Sequence, residues 1–195
     1  MEKELFNYYK NALVDNLCSK YRGYWQAASH DKLKLLHLAL SQQAIPHWLT
    51  YAYDGRGITK DYVLENFGDY INGNYLIEDA DDVKGYTYQL YTDFKGISKL
   101  SGDVCVFAWC NSTYVDVKAT KCPIFYVGCK SDINISLYGY NSLVIYLFDE
   151  SVVTIEDADE TSSVYVYRYS QKADVIQGKY CICDKFRIFD KTLRL

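Results

Sequence analysis

The chain has 195 residues, 49% hydrophobic and 24% charged, with a formal net charge of -4. That length can bury a full core without disulfide or metal staples. The mild charge of mixed sign argues against a general nucleic-acid binder, which would carry a basic face, and no run approaches the ~20 apolar residues of a membrane span.

Residues 1–100 carry a mainly helical pattern. The opening Met1-Glu2-Lys3-Glu4-Leu5 lacks the apolar stretch of a secretory leader. Leu5, Tyr9, Ala12, Leu13 and Leu17 recur at steps that place them on one helical face. After Gly23, Ser29 offers an N-cap oxygen to a second helix, with Asp31 in its acidic first turn and Leu33, Leu36 and Leu40 along its stripe. Pro46 suits the N-terminal turn of a further helix. Asp54-Gly55-Arg56-Gly57 reads as a turn. Thr59 then caps a short helix over 60–67, which Gly68 can end. Gly73-Asn74 reads as another turn, and 85–91 alternates as a first strand.

From Asp103 the apolar period becomes two. Val104-x-Val106-x-Ala108, Val115-x-Val117-x-Ala119, Phe125-x-Val127-x-Cys129 and Ile133-x-Ile135-x-Leu137 follow one another. Val144-x-Tyr146-x-Phe148, Val153-x-Ile155 and Val164-x-Val166 complete the series. Small polar pairs separate them: Ser131-Asp132, Asn141-Ser142, Glu150-Ser151 and Ser162-Ser163. Antiparallel hairpins and a coiling solenoid both give short strands at such spacing. The scarcity of Asn-Gly and Asp-Gly turns favours the solenoid, as do Ala108, Ala119 and Cys129, small enough for a narrow interior. The expected fold is α+β: a helical N-terminal head over 1–100, capping one end, then a C-terminal parallel β-solenoid (β-helix) over 101–195. The tail from Lys179 closes the other end, with Phe186-x-Ile188-x-Asp190 as the last strand.

Trp25-x-Ala27 before Asp31-Lys32-Leu33, Ile45-Pro46-His47, and the run from Asn66 to Gly73 resemble the head of a group of uncharacterised β-helical proteins. These occur in gut-type bacteria and their phages or prophages. The Val-x-Val-x-Ala strands and Asp/Asn-Ser turns resemble the repeats of the same group. The resemblance implies a β-helix and a phage or mobile-element context. It supplies no activity and no site residues.

Chemistry is sparse. His30, His37 and His47 have no cysteine or carboxylate at metal spacing beside them. Seven cysteines, an odd number, imply reduced thiols in a cytoplasmic setting, host cytosol or virion. Nucleophile-elbow, zinc-protease and phosphate-loop motifs are lacking. The expectation is therefore a non-enzyme without cofactor or metal. The unusual count is tyrosine, with 21 against eight Phe. Tyr165, Tyr167 and Tyr169 share one face by period two. With Tyr138 and Tyr140 they are the candidate partner-binding residues, for a protein partner or self-association, with a glycan as a further option. The expected role is structural or protein-interaction, phage- or prophage-associated. One alternative is a decoy of a nucleic-acid-binding enzyme, through the acidic loop 156–160. The other is a carbohydrate-active β-helix enzyme, by analogy of fold alone.

Overall fold

A computed structural model describes residues 3–14, 19–28, 31–41, 44–78, 85–100, 102–117, 123–139 and 141–192. Among the described residues five α-helices come first: α1 (Lys3–Val14), α2 (Ser19–Ala27), α3 (Lys32–Ala39), α4 (Ile45–Tyr53) and α5 (Lys60–Phe67). The described strands follow: β1 (Ile77–Glu78), β2 (Thr87–Thr92), β3 (Ile97–Lys99), β4 (Val104–Ala108), β5 (Thr113–Val117) and β6 (Ile124–Gly128), then β7 (Asp132–Leu137), β8 (Ser142–Leu147), β9 (Val152–Ala158), β10 (Ser163–Arg168), β11 (Asp174–Cys181) and β12 (Lys185–Asp190).

The strands form a parallel β-solenoid of about five turns, two strands to a turn. The even-numbered strands, with β1, build one sheet in the order β1-β2-β4-β6-β8-β10-β12. The odd-numbered strands build the other, β11-β9-β7-β5-β3. Every pairing between turns is parallel and follows chain order: Val104 stacks on Ile124, Ile124 on Val144, Val144 on Tyr165 and Tyr165 on Arg187. Among the described strands only β1 runs antiparallel, along the edge of β2. Parallel pairing already starts at β2, ahead of residue 101.

The interior lies between the two sheets. Phe107, Phe125, Leu143, Ile145, Val164 and Val166 meet Val115, Val117, Ile133, Ile135, Val153 and Ile155 there, all fully buried. The polar pairs seen in the sequence do lie at the corners. Ser131 and Ser151 turn inward and bond each other, Ser131 N–H to Ser151 Oγ at 3.0 Å. At the opposite corner Ser162 Oγ donates to Gly139 O at 3.0 Å. Buried corner backbone is satisfied by side chains of the adjoining turn, which a solenoid requires.

A second apolar cluster corrects the sequence reading of faces. Val104, Val106, Ala108 and Cys129 do not fill the solenoid interior. They belong to the cluster of the helices, with Trp25, Leu36, Trp48 and Leu49. The helices rest against the outer face of the even-strand sheet rather than across an end of the solenoid. Leu49 of α4 sits on Gly128, and Trp48 meets Trp109 edge-on at 6.0 Å. β4 is therefore buried on both faces, and alternation cannot mark its inner side. Ala119 lies outside the described residues.

Local signals in the helical part are mostly borne out. Pro46 occupies the first turn of α4, and Thr59 caps α5 by accepting from Tyr62 N–H at 3.3 Å. Gly55 and Gly73 take positive φ at their turns. The cap of α3 is Asp31 itself, which accepts from Lys34 N–H at 3.1 Å; Ser29 is outside the described residues.

Candidate functional site

The helices cover only the first turns of the even-strand sheet. Beyond them its outer face continues as a ladder of stacked rings. Tyr126, Tyr146, Tyr167 and Phe189 lie in register on successive strands. Their centroids are 4.7, 5.3 and 5.2 Å apart, with planes within 20° of parallel. Strand spacing in a sheet is about 4.8 Å, so one in-register aromatic per turn stacks without adjustment. A second, shorter stack runs beside it, Phe148 on Tyr169 at 5.1 Å. Exposure grows along the ladder, from Tyr126 at 6% under the helices to Phe189 at 39%. Lys191 Nζ hangs over the Tyr167 ring at 5.6 Å, a cation–π contact.

The geometry decides what this surface offers. Along the ladder neighbouring rings cover one another's facing sides. Burial first, and then the neighbouring tyrosines, push the Tyr126 and Tyr146 phenols above the ordinary tyrosine pKa.

Of the sequence-derived residues, Tyr165, Tyr167 and Tyr169 do share this face, half-buried, with Val164 and Val166 behind them in the core. Tyr138 is exposed at a corner that follows the other sheet, away from the ladder. Tyr140 is outside the described residues. Tyr126, Phe148 and Phe189 were missed. The recurrence of an aromatic once per turn was the signal, visible only when turns of two strands are aligned.

Where α4 ends against the sheet lies a cleft of about 190 Å³, lined by Thr50, Tyr53, Asp54, Phe148, Asp149 and Tyr169. Asp149 is its most constrained member. It occupies the last of four stacked left-handed corners, Asp93, Trp109, Cys129 and Asp149, with φ of 49, 55, 56 and 45°. Its carboxylate reaches back to the preceding turn. It accepts from Cys129 N–H at 2.6 Å and Lys130 N–H at 2.9 Å, and from Ser151 Oγ at 2.9 Å. Cys129 and Lys130 are both left-handed, a conformation that aims consecutive N–H groups at one anion. Burial nonetheless pushes the Asp149 carboxyl above its usual range, outweighing these donors. Beside it Glu150 is clamped by Lys172 at 3.0 Å and Lys130 at 3.1 Å, with the Tyr53 hydroxyl as a further partner.

The remaining expectations meet less structure. The acidic loop does not present a regular charge array. Asp159 folds inward on its own corner, accepting from Thr161, Ser162 and Gly139, and Ala158 is buried. Along the odd-strand sheet Asp116 stacks on Ser136, so carboxylates do not form a continuous row. Among the described residues no three His, Cys, Asp or Glu side chains gather to hold a metal, and no helix is long and apolar enough to cross a membrane. The apolar cavity among the helices is only about 10 Å³, too small for a ligand.

Compared with protein-family models, with curated proteins and with solved structures, the chain matches none.

Proposed function

We propose that the protein is a non-enzymatic interaction module whose contact surface is the aromatic face of the even-strand sheet. One observation carries this reading. A single sheet face is half covered by the chain's own helices and then continues, in register, as partly exposed tyrosine and phenylalanine. In the covered half the face packs against an apolar helical surface, seated at Gly128 and Trp109, which supports a similar occupant for the open half. The open half offers the same flat geometry with hydroxyl edges added, a combination suited to protein interfaces. A protein partner or a second copy fits it better than a sugar ring, because ladder faces are already stacked on one another.

The phage or prophage setting belongs to this proposal too. It is supported by the resemblance of the head segments and by nothing in the fold. A cytoplasmic location is supported by the odd count of seven cysteines, and a virion location by the same resemblance.

The test replaces Tyr165 and Tyr167 with Ser and, as a control, Asn134 and Thr154 of the opposite sheet with Ala. Light scattering after size exclusion, at high protein concentration, reads self-association. Affinity capture from lysate, compared between the two variants, reads a foreign partner. Loss of an oligomer or a captured protein in the tyrosine variant alone is the expected result, with both variants melting as cooperatively as the parent. A strict monomer that captures nothing, or equal capture by both variants, refutes the assignment.

A further inference from the structure

The last strand leaves one edge of the even-strand sheet open. β1 lies along the other edge, and among the described residues β12 pairs only with β10. Lys191 N–H donates to Arg168 O at 2.8 Å. Peptide groups alternate sides along a strand, so the N–H and C=O groups of Phe186, Ile188 and Asp190 turn to the free edge. Such a row is a template for one more strand. The neighbouring edge, on β11, is interrupted by a register shift between Gln177 and Tyr180, which spoils it for pairing.

The side chains of β12 narrow the occupant. Its inward row, Phe186 and Ile188, is partly exposed, whereas Val164 and Val166 in the same row of β10 are fully buried. Its outward row carries Lys185 and Arg187, then Phe189 with Lys191 Nζ over the ring at 6.0 Å. These three cations are exposed, and among the described residues none has a carboxylate partner; the strand's own Asp190 is held by Arg168 at 2.7 Å. Arg187 Nη1 donates to Phe186 O at 2.8 Å and Asp184 O at 3.3 Å. That leaves Nε and Nη2 for a carboxylate, and the Phe186 carbonyl keeps a second lone pair. A second copy is a poor occupant. Antiparallel self-pairing that keeps inner face beside inner face is centred on one residue. Each centre from Phe186 to Phe189 opposes two cations: Lys185 with Arg187, Arg187 with itself, Lys185 with Lys191, or Arg187 with Lys191. Like charges directly opposite destabilise a strand pair. We infer that the free edge of β12 binds an extended acidic polypeptide segment, carboxylates alternating with apolar residues, added as a further strand. Its acids meet Lys185 and Arg187, and its apolar row closes over Phe186 and Ile188. The inference concerns the edge of the sheet and stands whether or not the tyrosine ladder takes a partner.

The test titrates the full-length protein with the peptide acetyl-Glu-Val-Asp-Val-Glu-Val-amide and reads two-dimensional amide NMR and amide hydrogen exchange. Saturable shifts over residues 185–191 are expected. Exchange should slow at Phe186, Ile188 and Asp190, and change little at Arg187 and Phe189, whose amides already face β10. The same peptide with Lys at its acidic positions should not bind. Lys185→Gln combined with Arg187→Gln, at two exposed positions, should weaken binding roughly tenfold through loss of two surface ion pairs, with the melting temperature of the parent. No response at millimolar peptide, shifts outside 185–191, or unchanged affinity in the double variant overturns the inference. So does equal binding of oligothymidylate, or of the acidic peptide with proline in place of its central valine, since either shows attraction by charge without an added strand. None of these readouts depends on Tyr165 or Tyr167, so a failure here is distinct from a failure of the proposed interaction face.

Discussion

Substituting Gly128 by Ala probes the seat of the helices on the solenoid. A Cβ built at Gly128 would lie 3.1 Å from both Leu49 methyls and 3.2 Å from its Cβ. Carbon pairs are most favourable near 3.5–4.0 Å, so Leu49 or all of α4 must retreat by a few tenths of an ångström. Overpacking of that kind costs about 1–3 kcal/mol. Against it stands the stabilisation of about 0.4–1 kcal/mol that Gly→Ala brings by restricting the unfolded chain. The net effect is destabilising. Leu49→Ala alone, at a fully buried position, should cost about 2–5 kcal/mol. The informative variant combines them. With the Leu49 side chain gone, the new methyl enters a cavity, and Gly128→Ala becomes neutral or stabilising. Urea unfolding of the four proteins, followed by far-UV circular dichroism, gives the coupling. If Gly128→Ala has the same effect in both backgrounds, α4 is not seated on β6 and the packing argument fails.

Three further outcomes follow from the same structure. Ser151→Ala removes the fully buried hydroxyl that accepts from Ser131 N–H and donates to Asp149. A loss of about 1–3 kcal/mol in denaturant titrations is expected, and no loss would mean the corner ladder contributes nothing. Cys105, Cys110 and Cys129 are buried free thiols, and burial pushes Cys110 up to about 11. Thiol-disulfide reagents with mass-spectrometric mapping should leave all three unmodified until denaturant is added; fast native labelling contradicts their placement. Acid stability has a defined sign. Hydrogen bonds from Lys172, Lys130 and Tyr53 hold Glu150 at about 2, below its ordinary 4.5. Its contribution is complete above pH 4.5 and is lost as pH falls toward 2. Asp149, raised by burial, acts oppositely, its cost relieved on protonation. Glu150→Gln should therefore flatten the acid limb of stability against pH, less so in high salt. An unchanged limb removes the clamp from the account.

Much of the solenoid was legible because its inner face obeys a strict period of two. Ile133, Ile135 and Leu137, or Val164 and Val166, are buried while their neighbours are partly exposed. The corners were legible too, since Ser131, Ser151 and Ser162 are small and polar where the backbone needs partners. The two-faced strands were not. In β4 all five residues are buried, and no local pattern says that Val104 and Val106 face helices while Cys105 and Phe107 face the core. In β8 the inward set is Leu143, Ile145 and Leu147, whereas Val144 and Tyr146 point outward to the ladder.

The site was half legible for a similar reason. Tyr165, Tyr167 and Tyr169 betray a shared face within one strand. Their stacking partners Tyr146, Phe148 and Phe189 sit a whole turn away, at a separation fixed by corner lengths that vary along the chain. The role of Asp149 was hidden because its partners are backbone groups of Cys129 and Lys130. Asp149-Glu150-Ser151 and Asp159-Glu160-Thr161-Ser162, acid before hydroxyl at two strand ends, were the available signs of it.

The ladder itself offers the most direct test of the coiled, parallel arrangement on which the interaction face depends. A NOESY spectrum of protein carrying protons only on its aromatic rings should connect Tyr126 to Tyr146, Tyr146 to Tyr167, and Tyr167 to Phe189. In protein with protonated methyls as well, contacts from the Tyr146 ring to Val153 in place of that chain would show strands 142–147 and 152–158 folded back as a hairpin, and would contradict the solenoid.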